Sequence, residues 1–189
     1  MTIDPTRDLS PTDAVLIVDV QNDFCPGGAL AVPEGDRVVP VLNEWADAAV
    51  RVGARVYASR DWHPGNHLSF APEGGPWPPH CVQDTSGAAF HPDLRLPDTG
   101  IVVSKGTRFD QDQYSAFDET GFAQELSRQG VRRLILGGLA EDVCVRASAL
   151  DASRQGFETV LIQDATRAIT DDGRRNTERE LAEAGVAFT

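Results

Sequence analysis

Ala14-Val15-Leu16-Ile17-Val18 is a run of five apolar residues, mostly β-branched, that breaks off at Asp19 into polar sequence and Cys25-Pro26-Gly27-Gly28. A short run that is apolar at every position, rather than at alternate ones, predicts a strand buried on both faces. The abrupt switch to polar and Pro/Gly residues predicts a loop at its carboxyl end. Downstream, Val38, Leu42, Trp45, Ala49 and Val52 recur at three- and four-residue steps, with Pro40 tolerable in a first turn and Gly53 as a stop. That spacing predicts a helix with one apolar face and makes Trp45 a core residue. Further short strands are expected at residues 54–59, 101–104, 134–136 and 159–162. Helices are expected around Phe122 and Leu126, over 143–155 and over 174–184. Strand and helix in alternation predict an α/β fold with a mostly parallel central sheet flanked by helices on both faces, a Rossmann-like three-layer sandwich. At 189 residues the chain is read as a single domain, residues 1–189, with one sizeable core and one active site.

Composition narrows the partners. The formal net charge is -12, which sets the chain against nucleic acid, because polyanion binders need clustered Lys and Arg to release counterions. The first residues lack the basic-then-apolar pattern of a secretion signal, and the apolar runs are too short to cross a bilayer. No membrane association and a cytoplasmic location are therefore expected. Cys25, Cys81 and Cys144 are odd in number and irregularly spaced, which predicts free thiols rather than a disulfide framework. The expected partner is a small-molecule substrate.

In parallel sheets ligands bind in the crevice at the carboxyl ends of the strands. Asp19 ends the first expected strand, Asp61 follows the second, Lys105 follows the third, and Cys144 lies a few residues beyond the fourth. Leu134-Ile-Leu-Gly-Gly-Leu-Ala-Glu-Asp-Val-Cys144 runs from a strand through two glycines into a helix start carrying Glu141 and Asp142. The opening turn of that helix would stabilise a thiolate, and the N–H groups of Ala140 and Cys144 could receive an oxyanion. Asp19 is the candidate base, made more basic by burial and less so by a nearby Lys105; a structural ion pair between strand ends is the plainer alternative. The segment from Asp61 to Gly100 holds seven prolines and five glycines, which excludes a regular helix or strand, and long loops of this kind in compact domains are usually functional or disordered.

That loop carries Asp61-Trp-His63-Pro-Gly-Asn-His67 and Trp77-Pro-Pro-His80. Asp61 and His63, two apart, can point the same way from a strand end, and His80 completes a two-histidine, one-carboxylate set for a divalent metal ion; zinc, iron and manganese all accept such ligands. His67 is either a further ligand or a loop residue capping backbone groups. His91, in Phe90-His91-Pro92, is read as structural. Trp62, Trp77 and Phe24 could wall an apolar slot for a flat ring.

These residues carry a family resemblance. Asp19-Val-Gln-Asn-Asp-Phe24, Arg60-Asp-Trp-His-Pro64, Trp77-Pro-Pro-His-Cys-Val82, Ser104-Lys-Gly106 and Gly138-Leu-Ala-Glu-Asp-Val-Cys144 occur in one order. From about Asp13 to the C-terminus the chain resembles the nicotinamidase/pyrazinamidase branch of the isochorismatase-like cysteine hydrolases. The resemblance implies an Asp19, Lys105, Cys144 triad, a metal held by Asp61, His63 and His80, and a non-proline cis peptide preceding Ala140. It also implies substrate held by Phe24 and Trp77, and self-association into a homo-oligomer. The reaction implied is hydrolysis of nicotinamide to nicotinate and ammonia through a thioester, with pyrazinamide also accepted. The alternative is a related amidase acting on a carbamoyl or ureido compound. Glu141 departs from the family, where threonine is often found.

Overall fold

The computed structural model describes residue 4 and residues 8–189. Six parallel strands form one sheet: β1 (Asp13–Val18), β2 (Arg55–Asp61), β3 (Ile101–Lys105), β4 (Arg133–Gly138), β5 (Glu158–Thr166) and β6 (Ala187–Phe188). Their spatial order is β3-β2-β1-β4-β5-β6. Strand β1 is central and all six of its residues are buried, which is why its sequence is an uninterrupted apolar run. Its side chains alternate between faces, as strand geometry requires. Val15 and Ile17 pack with Val39, Leu42 and Trp45 of α1 (Val38–Val52) in one core cluster. Ala14, Leu16 and Val18 pack on the opposite face with Phe122 and Leu126 of α2 (Phe122–Arg128), Ala149 of α3 (Arg146–Arg154) and Leu181 of α4 (Asp171–Glu183). Helices thus cover both faces. None of the described helices is long and apolar enough to cross a membrane.

Helix α1 ends at Gly53, whose φ of 76° supplies the left-handed turn that lets the N–H groups of Gly53 and Ala54 bond back to Val50 and Ala49. Two features depart from the simple alternation. The β2 to β3 connection, residues 62–100, contains no α-helix; it holds a single 3-10 turn, Ala71–Glu73, and isolated bridges pairing His63 with Val82 and Phe70 with Trp77. Between β4 and α3 the chain forms a π-helical turn, Glu141–Val145, so Cys144 precedes the α-helix instead of sitting in its first turn. The edge strand β6 is two residues long and lies beyond the expected elements.

Candidate active site

The carboxyl ends of β1, β2, β3 and β4 bring four side chains to one buried point. Lys105, the last residue of β3, places its Nζ 2.8 Å from Asp19 Oδ2 and 2.5 Å from Asp61 Oδ1. The same ammonium donates to Cys144 Sγ at 3.3 Å. Asp19, immediately after β1, adopts φ of 47°, a left-handed conformation that aspartate tolerates better than most residues, and its Oδ1 accepts from Ser59 Oγ at 2.6 Å. Asp19 and Lys105 are fully buried and Cys144 is nearly so.

Burial and mutual charge shift all three groups. Burial raises the Asp19 carboxyl above its ordinary value, against the pull of Lys105. Lys105 is pushed well above the usual lysine value because Asp19 and Asp61 outweigh its own desolvation. The Cys144 thiol is also pushed well up, first by burial and then by the two carboxylates, with Lys105 opposing. Burial thus works against a thiolate at Cys144, and the expected helix start is displaced: the residue lies in the π-helical turn ahead of α3, beside Lys105. The Leu139–Ala140 peptide ahead of it is cis. Glu141 and Asp142 lie in the first turn of the π-helical segment. Glu141 is buried and accepts from Thr166 Oγ1 at 2.8 Å, while Asp142 Oδ1 accepts from Ile169 N.

A second cluster adjoins the first. His63 N donates to the Cys81 carbonyl and Gln83 N to the His63 carbonyl, each at 2.9 Å, and this short ladder folds His80 back beside His63. One ligand atom each of Asp61, His63 and His80 lies within 4.8 Å of the others. The rings of His63 and His67 are 4.6 Å apart, and those of His63 and His80 4.8 Å apart. Each Nδ1 is engaged: His63 with the His80 carbonyl at 3.2 Å, His80 with the Pro78 carbonyl at 2.7 Å, and His67 with Ser69 Oγ at 2.7 Å. Such second contacts fix the ring and leave Nε2 as the free donor, the usual arrangement of metal-binding histidine. His67 Nε2 is fully buried without a hydrogen-bond partner. Burial and the neighbouring imidazoles lower His63 to about 3, so it is neutral near pH 7. Two buried imidazoles and a carboxylate, Asp61, His63 and His80, fit a divalent ion, and the orphaned nitrogen of His67 lies next to them. His67, left open from sequence, places its ring near that of His63 and falls within reach of His63 and Asp112 rather than of Asp61 and His80.

The two clusters face a narrow cleft, and Phe24, Trp77, Ala140 and Cys144 are among its walls. Phe24 stands 5.6 Å from the His80 ring, and Trp77 Nε1 donates to Tyr114 Oη at 3.0 Å. Trp62 does not line this space. It packs against the core with the Arg60 guanidinium 3.8 Å from its ring centroid, and it is withdrawn from the expected slot. His91 lies outside the cleft and accepts from Asp93 N.

Three contributors were not singled out from sequence, although Gln21 stands within the first motif. Gln21 is buried, and its side-chain amide bonds both the N–H and the carbonyl of Asp61 at 2.8 Å, fixing the backbone of that residue. Asp112 and Tyr114, from the loop after β3, also line the cleft. Nothing local separates them from neighbouring polar residues.

Comparison with known proteins agrees with this geometry. Residues 13–189 match the model of the isochorismatase domain. The nicotinamidase of Escherichia coli is 42% identical over 180 residues, covering 84% of each chain. The crystal structure of the pyrazinamidase of Pyrococcus horikoshii in complex with zinc superposes with a TM-score of 0.92 at 44% identity, covering 95% of this chain and 99% of that one. PnC1 from L. infantum in complex with nicotinate gives 0.88 at 39% identity, covering 100% and 95%. The chain belongs to the isochorismatase family, in its nicotinamidase/pyrazinamidase branch.

Proposed function

We propose that this protein hydrolyses nicotinamide to nicotinate and ammonia, and accepts pyrazinamide, through a cysteine thioester. The observation that carries the reading is the meeting of the Cys144 thiol, Asp19 and Lys105 on one side of a cleft whose other side is the Asp61, His63 and His80 cluster. The likeness to a nicotinate-bound relative supports the substrate class.

The substrate ring enters between Phe24 and Trp77 with its amide toward Cys144. Asp19, made more basic by burial, takes the thiol proton as sulfur attacks the amide carbon. The resulting oxyanion is received by the N–H groups of Ala140 and Cys144. Asp19 then returns the proton to the departing nitrogen, ammonia leaves, and a thioester remains. A water that gives its proton to Asp19 attacks the thioester carbon, and the carbon–sulfur bond breaks as Asp19 hands that proton to sulfur, releasing the acid and restoring the thiol. Lys105 keeps Asp19 oriented throughout. Asp61, His63 and His80, with His67 as a fourth donor, would hold zinc, iron or manganese, which supplies an electron-pair acceptor for the ring nitrogen.

Ammonia release from nicotinamide tests the reading directly. Cys144→Ala should abolish it, and a variant with normal turnover would remove the nucleophile from the scheme. Release from carbamoyl or ureido compounds with none from nicotinamide would favour the related amidase instead. A cytoplasmic location and a homo-oligomeric state go with this reading, and light scattering on the purified protein tests the latter.

A further inference from the structure

The scheme leaves one carboxylate at the imidazole cluster without a role. Asp112 Oδ1 lies 4.0 Å from His63 Nε2, matching the 3.9 Å between Asp61 Oδ2 and His80 Nε2. One ligand atom each of His63, His67 and Asp112 falls within 4.8 Å of the others, so two candidate ligand sets share His63. Asp112 is also the less exposed of two nearby acids: its side chain is 18% exposed, against 69% for Asp110, which pairs with Arg108.

A separate observation points the same way. His67 Nε2 is buried with no partner, a costly condition for a polar atom unless something outside the described chain completes it. Of the two sets, the one containing His67 is the one containing Asp112. Charge supplies the reason for a second acid. Asp19 and Asp61 share the single Lys105 ammonium. A divalent ion placed among neutral imidazoles would leave the buried cluster with net positive charge, which another carboxylate neutralises.

We infer that Asp112 is a second carboxylate of the metal site, holding the ion with His63 and His67 either directly or across one water. The inference rests on the metal site of the proposed function and extends it. Zinc affinity, measured by competition with a chromophoric chelator, tests it without reference to turnover. Asp112→Asn should bind zinc about 10- to 100-fold more weakly than the parent. Asp112→Glu, which keeps the charge, should recover most of the loss, and the exposed Asp110→Asn should match the parent. The visible absorption of the cobalt-loaded protein should also change in Asp112→Asn. An Asp112→Asn protein with parental zinc affinity and an unchanged cobalt spectrum would overturn the assignment while leaving the rest of the site intact. Parent protein that takes up no zinc would overturn the whole metal site, and this assignment with it.

Discussion

Lys105 balances two acids at the base of the cleft, and its removal should expose the cost of that arrangement. With Lys105→Ala, Asp19 and Asp61 remain buried without their cation, and stability should fall by about 3–5 kcal/mol in urea titration. Asp19→Asn should behave differently. Lys105 keeps Asp61 as partner and the amide oxygen can still accept from Ser59, so stability should change less, while ammonia release falls about 10²- to 10⁴-fold with the base. A Lys105→Ala protein as stable as the parent, or an Asp19→Asn protein with a tenth or more of parental turnover, would contradict these roles. Gly106, the next residue, has φ of 67°, and a Cβ there would lie 2.6 Å from His63 Nε2. Gly106→Ala should therefore lower zinc content per chain; a full complement of zinc would show that His63 can yield. Asp19, Lys105 and Cys144 were legible in the sequence because reactive side chains closing or just following apolar runs are conspicuous. Gln21 stands within a quoted motif, but its role was not legible, since it acts through two hydrogen bonds to backbone forty residues away. Asp112 was not, because Asp110 looks the same until the fold exposes one and shelters the other.

Element boundaries were set by partners more than by composition. Strands β2, β3 and β5 run on past their apolar residues to Asp61, Lys105 and Thr166, because neighbouring strands still offer backbone partners. Helix α4 starts at Asp171, not at residue 174: Asp-Asp-Gly resembles a turn, but Thr170 Oγ1 accepts from Gly173 N at 2.9 Å and caps the helix. Thr170→Ala should cost about 1 kcal/mol by thermal or urea unfolding. Glu141 links the π-helical turn to β5 through Thr166, with Arg174 of α4 3.7 Å away. Burial raises its carboxyl, against Thr166 and Arg174; Glu178 and Asp142 add to the rise. A raised carboxyl contributes stability that is complete below the unfolded value of 4.5 and is lost as pH climbs through the folded value. Glu141→Gln removes that loss and keeps an acceptor for Thr166. Its Tm should gain on the parent as pH rises from about 4 toward 8; a difference that does not vary with pH would show that ionisation of Glu141 carries no penalty.

On the scale of the molecule, the α/β class and the burial of β1 followed from hydrophobic period, but the course of residues 62–100 did not, because Pro/Gly-rich sequence specifies no repeat. What orders this segment is contact at a distance: Gln21 with the Ala88 carbonyl, Asp23 with Cys81 N, and the His63–Val82 bridge. The imidazole cluster lies on the same segment, joining the end of β2 to His80 and, across the cleft, to the loop after β3. An ion held there would tie the longest irregular stretch to the sheet. Metal binding to the folded state alone stabilises by mass action, about 2.7 kcal/mol when free ion is 100-fold above Kd. Chelation should therefore lower Tm and should speed amide exchange selectively in residues 62–83, while the fully buried β1 and the core of β4 exchange as before. Uniform acceleration across the sheet would mean that the ion supports the entire fold; no change in the loop would mean that the protein contacts alone suffice, and that the ion serves the bound ring and not the structure.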